Sequence, residues 1–299
     1  MTPDATRVPP WRSFLFVPVL NDRFIDGAPG RGADVIQLDL EDAIPPDQKD
    51  AARARVAQVA DTLAARGCDV IVRINRPWRM ALPDIEAAVC PAVLALTLPK
   101  VPHAQHVRSV AEVVDELERE RGMTPGSTRF VAMIETAEGL NNVQAIAAAD
   151  PRVCGVIVGA EDLAVSMGMR PTPAALRLAN LQTLQAARAA GCAPLGFVGS
   201  LADFSDLDDF REKIREAREL GFVGAFAIHP AQVPILNTEF SPGVAEIERA
   251  EALVAAFEQS IAEGHGAFAF EGKMVDLPVV EQARAVLSQR DAIAARQTR

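Results

Sequence analysis

Carboxylates recur just after short apolar runs along this chain, and their placement is its most informative chemical feature. Asp39-Leu40-Glu41-Asp42, Glu135-Thr136 and Glu161-Asp162 each follow a stretch rich in Val, Ile and Leu; Arg73-Ile74-Asn75, Pro99-Lys100 and His229-Pro230 close three others. Carboxylates with no clustered His or Cys beside them suit a hard, oxygen-seeking cation. Mg2+ fits this pattern, because it takes one or two carboxylates, keeps water and leaves positions for substrate oxygens. Mn2+ accepts the same donors. An arginine among them can hold a substrate carboxylate or a developing oxyanion. Such groups act together only if the fold brings the ends of several runs to one place.

The runs are Phe14–Pro18, Val35–Leu40, Val70–Ile74, Val93–Leu98, Phe130–Ile134, Gly155–Val158, Ala193–Val198 and Gly224–Ile228. Short and apolar at consecutive positions, they read as parallel strands buried on both faces. Helix-like stretches lie between them at Lys49–Arg66, Val107–Arg121, Ala137–Ala149, Pro173–Ala190 and Leu207–Leu220. Gly67, Gly122, Gly191 and Gly221 stand as helix stops before the next strand. This α/β alternation fits a closed barrel or an open doubly wound sheet. The count of eight strands, with polar residues at their C-terminal ends, favours a TIM-type (β/α)8 barrel, whose active sites gather on that face. No dinucleotide fingerprint follows the first strand; Gly27, Gly30 and Gly32 precede the second and read as a loop. The barrel is expected to span residues 1–241. Pro242 and Gly243 then open a helix to about Glu263, followed by the segment Gly264–Phe270, the motif Glu271-Gly272-Lys273-Met274-Val275-Asp276 and a final helix from near Pro278. Residues 242–299 read as a C-terminal helical extension, serving as a lid or as an arm onto a neighbour.

Composition narrows the function further. A formal net charge of −10 argues against nucleic acid, which needs a basic face. Cys68, Cys90, Cys154 and Cys192 show no Cys-x-x-Cys spacing and read as reduced thiols of a cytoplasmic protein. Met1–Trp11 lacks the apolar core of a signal peptide, and no run approaches the ~20 apolar residues of a membrane helix. His103 and His106 are expected on a solvated helix face, and Glu116–Arg121 as a solvated helix end. Lys100 is expected to pair with the acidic rim rather than to form a Schiff base. Ser200 has no Gly-x-Ser-x-Gly elbow around it.

Six motifs in order carry a family resemblance over nearly the whole chain: Arg12-Ser13-Phe14-Leu15-Phe16-Val17-Pro18, Leu38-Asp39-Leu40-Glu41-Asp42-Ala43, Val72-Arg73-Ile74-Asn75, Met133-Ile134-Glu135-Thr136, Gly159-Ala160-Glu161-Asp162-Leu163 and Ala227-Ile228-His229-Pro230-Ala231-Gln232. Together they resemble the citrate lyase β-subunit-like family, with the citramalyl-CoA and malyl-CoA lyases of the HpcH/HpaI aldolase superfamily. The resemblance implies that Glu135 and Asp162 hold Mg2+, and that Arg73 contacts the substrate and stabilises an acetyl-CoA enolate. It puts Glu41, Asp42 and Thr136 on the substrate side, and Phe16, Val17, His229 and Pro230 beside the coenzyme A arm. The segment Gly272–Asp276 resembles one that reaches the active site of an adjacent subunit in a trimer, where Asp276 would exchange a proton with the acetyl-CoA methyl carbon. The implied activity is Mg2+-dependent cleavage of a 3-hydroxy-3-carboxyacyl-CoA thioester (citramalyl-, malyl- or citryl-CoA) to acetyl-CoA and a 2-keto acid, or the reverse condensation. The implied assembly is a homo-oligomer, trimer or hexamer. Alternatives are a coenzyme-A-independent class II aldolase for 2-keto-3-deoxy acids, a citrate lyase β subunit serving an acyl carrier protein, and a non-catalytic complex subunit. Two positions depart from the family: Val19 and Leu20 follow Pro18 where a Pro-Gly is usual, and Gly196–Leu201 replaces an Asp-containing run.

Overall fold

The structure is a computed structural model that describes residues 10–201, 205–263 and 268–297. Its larger compact unit, Met1–Phe240, is built on eight parallel strands. These are β1 (Ser13–Pro18), β2 (Val35–Asp39), β3 (Asp69–Arg73), β4 (Val93–Leu98), β5 (Arg129–Ile134), β6 (Val153–Val158), β7 (Ala193–Leu195) and β8 (Ala225–Ala227). They pair in the order β7-β6-β5-β4-β3-β2-β1-β8. Leu195 bridges Gly224 in parallel and Gly196 N donates to Gly224 O at 2.8 Å, which closes the ring into the expected TIM-type barrel.

Period-two alternation sorts the strand side chains into two layers. Phe14, Val35, Ile71, Ala95, Val131 and Phe226 fill the barrel interior. Leu15, Val17, Ile36 and Leu38 face the surrounding helices. Helices Lys49–Ala65, Ala104–Glu120, Pro173–Ala190 and Leu207–Leu220 follow the runs read from the sequence closely. Ala137–Ala149 is instead two short helices, Ala137–Asn141 and Val143–Ala147, broken at Asn142, whose Nδ2 donates to Pro102 O at 2.9 Å. Strands β7 and β8 are shorter than their apolar runs. Gly196, at φ 116°, turns the chain out of β7, a conformation that favours glycine.

Two expectations about solvated faces are corrected. Glu118 is fully buried and pairs with Arg152 at 2.7 Å, while the backbone N–H groups of Gly126 and Thr128 each donate to it at 2.7 Å. Burial alone would raise its carboxyl, but these donors hold it down at about 2. His106 is buried and packs against Trp78, the rings tilted with centroids 4.7 Å apart; burial, then Arg76 and His103, push it down to about 4.

The second compact unit, Ser241–Arg299, has its own core of Ala250, Leu253, Val275, Val280 and Ala283. Helix Val244–Ala262 leads to an antiparallel hairpin of β9 (Phe268–Phe270) and β10 (Lys273–Val275), then to helix Leu277–Gln297. Glu271 and Gly272, both at positive φ, form its two-residue turn. Residues 264–267 of the Gly264–Phe270 segment and residues 1–9 lie outside the described residues. Among those described, no helix is long and apolar enough to cross a membrane.

Candidate active site

Parallel strands deliver their C-terminal ends to one rim, and alternation then decides which side chains point inward there. Inward positions Phe16 of β1, Asp39 of β2, Arg73 of β3, Met133 of β5 with Glu135 just past its end, Ile157 of β6 with Gly159 just past its end, and Phe226 of β8 border one cavity of about 570 Å3. Asp42, Glu161 and Asp162 add carboxylates at its edge; Gly196, Phe197, Leu201 and Ile228 add wall on the β7–β8 side.

Arg73 is 8% exposed and held from several sides. Its Nε and Nη2 donate to the two oxygens of Asp39, both at 2.7 Å, a fork that fixes the guanidinium plane. Nη1 lies 2.9 Å from Glu41 Oε2 and 3.3 Å from Asp42 Oδ2. The guanidinium carbon sits 4.9 Å from the Phe16 ring centroid, a cation–π contact. Burial would loosen its proton, but Asp39, Glu41 and Asp42 outweigh that and raise its pKa.

Glu135 is 3% exposed. Its Oε2 accepts from Lys100 N at 2.7 Å, and Lys100 takes a left-handed φ of 47° at that point. A side chain at position 159 would place Cβ 2.3 Å from Glu135 Oε1, so glycine there is what lets the carboxylate lie against β6. Burial pushes Glu135 up to about 7, against the pull of Lys100. Glu41 is likewise raised, first by burial. Lys100 Nζ spans the cluster at 3.0 Å from both Glu41 Oε1 and Asp162 Oδ2, the ion pair expected from the sequence.

This donor set fits Mg2+. Glu135 follows β5 and Asp162 lies in the first turn of helix Ala160–Met167 after β6; burial raises Glu135, which accepts the Lys100 backbone N–H, while the Lys100 ammonium pairs with Asp162, so the place favours positive charge. Among the described residues no three His, Cys, Asp or Glu side chains converge as ligands of one ion. Mg2+ does not need that many, since water and substrate oxygens complete its octahedron.

Other expected residues fall elsewhere. Val17 is buried on the helix-facing side of β1 and does not border the cavity, so its side chain is unavailable to a coenzyme A arm. Thr136 caps helix Ala137–Asn141, its Oγ1 accepting from Gly139 N at 3.0 Å. His229 caps the turn Pro230–Gln232 through Nδ1, and neither it nor Pro230 borders the cavity. Asp276 lies exposed in the second unit, just before helix Leu277–Gln297. Val19 is buried, and among the described non-glycine residues only Lys100 and Glu271 have positive φ; the turn after β1 therefore does without the usual glycine.

Sequence reasoning gave no role to the support beneath Glu41. Lys49 Nζ donates to the carbonyls of Leu40 and Glu41, both at 2.6 Å, and to Asn75 Oδ1 at 2.9 Å. Asn75 in turn donates to Asp84. A buried lysine at a helix start looks like any solvated one in sequence.

The HpcH/HpaI aldolase/citrate lyase family matches residues 12–230. A (3S)-malyl-CoA thioesterase of Cereibacter sphaeroides is 37% identical over 294 residues, covering 97% of this chain and 98% of its own length. Citrate lyase subunit beta of Escherichia coli is 33% identical over 283 residues, 94% of this chain and 93% of its own. A crystal structure of the protein CitE from Mycobacterium tuberculosis, in complex with magnesium, acetoacetate and coenzyme A, superposes with a TM-score of 0.73 at 30% identity. It covers 93% of this chain and 97% of its own.

Proposed function

This chain belongs to the HpcH/HpaI aldolase/citrate lyase family, and from that footing we propose that it is a Mg2+-dependent carbon–carbon lyase acting on a 3-hydroxy-3-carboxyacyl-CoA thioester. The observation that carries this reading is the convergence of Glu135, Asp162 and a clamped Arg73 on one cavity at the C-terminal rim. The magnesium- and coenzyme-A-bound state of the CitE relative supports both groups for this chain.

Glu135 and Asp162 would hold the ion, which supplies Lewis-acid polarisation of the substrate's hydroxyl and carboxylate oxygens. Arg73, fixed by Asp39, presents positive charge to the thioester oxygen where the enolate forms. In cleavage the hydroxyl proton passes to solvent water and its oxygen becomes the carbonyl of a 2-oxo acid. The electron pair of the broken C–C bond becomes the acetyl-CoA enolate, which Asp276 protonates at carbon. Phe16, Pro18 and Phe24 border the side by which the coenzyme A arm enters. Asp276 is supplied by a neighbouring copy in a homo-oligomer, trimer or hexamer, and the enzyme works in the cytoplasm.

The malyl-CoA thioesterase relative favours a second reading, thioester hydrolysis. Citramalyl-, malyl- and citryl-CoA incubated with Mg2+ separate the two. Cleavage gives acetyl-CoA and a 2-oxo acid in equal amounts; free coenzyme A with the intact hydroxy acid means hydrolysis. Mixing Asp276→Ala with Arg73→Met subunits is expected to restore turnover that neither has alone. No restoration in a mixed oligomer would place Asp276 in its own chain's site or outside catalysis.

A further inference from the structure

Among the described residues of the barrel unit, Lys100 alone carries a side chain at positive φ, 47°. That left-handed backbone crowds its Cβ, and it persists only where the surroundings hold it. Strand β4 ends at Leu98, and the kink at Lys100 aims its N–H at Glu135 Oε2, 2.7 Å away. Its ammonium reaches Asp162 and Glu41, each at 3.0 Å. One residue thus meets both carboxylates assigned to the metal.

The peptide on the other side of Lys100 is pinned at both of its polar ends. Its N–H, that of Val101, donates to Met133 O at 3.2 Å, and its carbonyl oxygen, that of Lys100, accepts from Arg76 Nε at 3.1 Å. Arg76 is placed by its flanks. Asn75 N and Nδ2 donate to Asp84 Oδ2 at 2.7 and 2.6 Å, and Pro77 disfavours helical backbone at the residue before it. Gly139 makes room for the kink, since a Cβ there would lie 2.4 Å from Val101 O.

Resting on the reading that Glu135 and Asp162 hold Mg2+, we infer that Arg76 is a positioning residue for the ion. It fixes the plane of the peptide after Lys100, while Glu135 meets the peptide before it, and the angle between the two planes is the strained one. Without Arg76, Lys100 relaxes towards negative φ and its N–H turns from Glu135. The carboxylate then has to be ordered by the ion itself, which weakens ion binding. Arg76 does not border the cavity and takes no part in the bond changes.

Calorimetric Mg2+ titration of the full-length protein tests this, with thioester cleavage followed on the same samples. Arg76→Met keeps the aliphatic stem and removes the donor. Its Mg2+ affinity should fall about tenfold, the low end for losing a partner that orients a metal ligand. Arg76→Gln carries an amide N–H as many bonds from the backbone as the arginine Nε, without the charge, and should bind Mg2+ within about twofold of the parent. In saturating Mg2+ the kcat of Arg76→Met should return to within about twofold of the parent's, with the thioester KM unchanged. In a Lys100→Gly background, where glycine adopts positive φ unaided, Arg76→Met should weaken Mg2+ binding by less than about threefold. Arg76→Ala takes the place of Arg76→Met should that variant fail to fold. Parent-like Mg2+ binding by Arg76→Met, equal losses in Arg76→Met and Arg76→Gln, or an undiminished loss in the Lys100→Gly background overturns the inference and leaves the lyase reading intact. The expected Mg2+ pattern without cleavage of any thioester supports the inference and overturns the lyase reading. No Mg2+ binding by the parent overturns both.

Discussion

The two ends of the barrel each bury charged groups, and they treat them in opposite ways. At the N-terminal ends of the strands, Arg152 is closed in by Glu118, Asp115 and the carbonyl of Thr128, and Arg12 pairs with Asp34 at 2.8 Å. Glu118 lies at about 2, well below the ordinary carboxylate value of 4.5, because its partners more than offset burial. At the C-terminal ends Glu135 is pushed up to about 7 and Glu41 is raised as well, because burial exceeds what Lys100 and Arg73 return. One end is satisfied within the chain. The other holds more negative charge than the chain neutralises, as expected of a place that takes a cation and a substrate.

Substitutions should therefore divide by end. Arg73→Met is expected to lower kcat/KM about 10²–10³-fold, the range for removing one oxyanion donor. Steady-state cleavage assays with an active-site titration check this. Arg152→Met should instead cost about 3–5 kcal/mol of stability by leaving Glu118 buried beside a lost partner. Its turnover per folded molecule should stay within about twofold of the parent's, read by denaturant unfolding beside the assay. Loss of activity without loss of stability at Arg152 would remove the division.

Much of this division was legible in sequence at the rim and little of it at the base. Glu135 and Arg73 sit at the ends of apolar runs and Asp162 in the first helical turn after one, so strand direction brings all three to one rim. Glu118 and Arg152 are 34 positions apart, and nothing in the charge run Glu116–Arg121 marks one carboxylate as buried. His106 looked solvated for the same reason, its partner Trp78 lying on another helix. Val17 shows that a motif can be legible while the role of one residue in it is not: Phe16 and Val17 are adjacent, and the pleat sends them to opposite sides of β1. The hairpin β9–β10 is short, and Glu271-Gly272 is a weak turn signal beside the Asn-Gly that such turns favour.

The pH dependence of metal-free protein should carry the contrast with opposite signs. Glu118 binds fewer protons folded than unfolded between about 2 and 4.5. It contributes roughly 3 kcal/mol above that window, lost as pH falls through it, and Arg152→Met should flatten this slope. Glu135 binds more protons folded than unfolded between 4.5 and about 7, so stability should decline as pH rises through that window. Glu135→Gln should remove that decline. Unfolding midpoints across pH test both, and slopes of the same sign would contradict the contrast. The smallest change in stability belongs to Asp162→Asn. Its side chain is 40% exposed and pairs with Lys100, so less than about 1 kcal/mol should separate it from the parent in denaturant unfolding.

The most direct experiment on the rim is a Mg2+ titration by calorimetry of the parent protein, Glu135→Gln and Asp162→Asn, with acetyl-CoA and 2-oxo acid production followed on the same samples. The parent should bind one ion per chain and lose product formation in EDTA, and both variants should lose the two together. Undiminished Mg2+ binding and EDTA-insensitive cleavage in either variant would show that these carboxylates do not hold the cation on which the reaction depends.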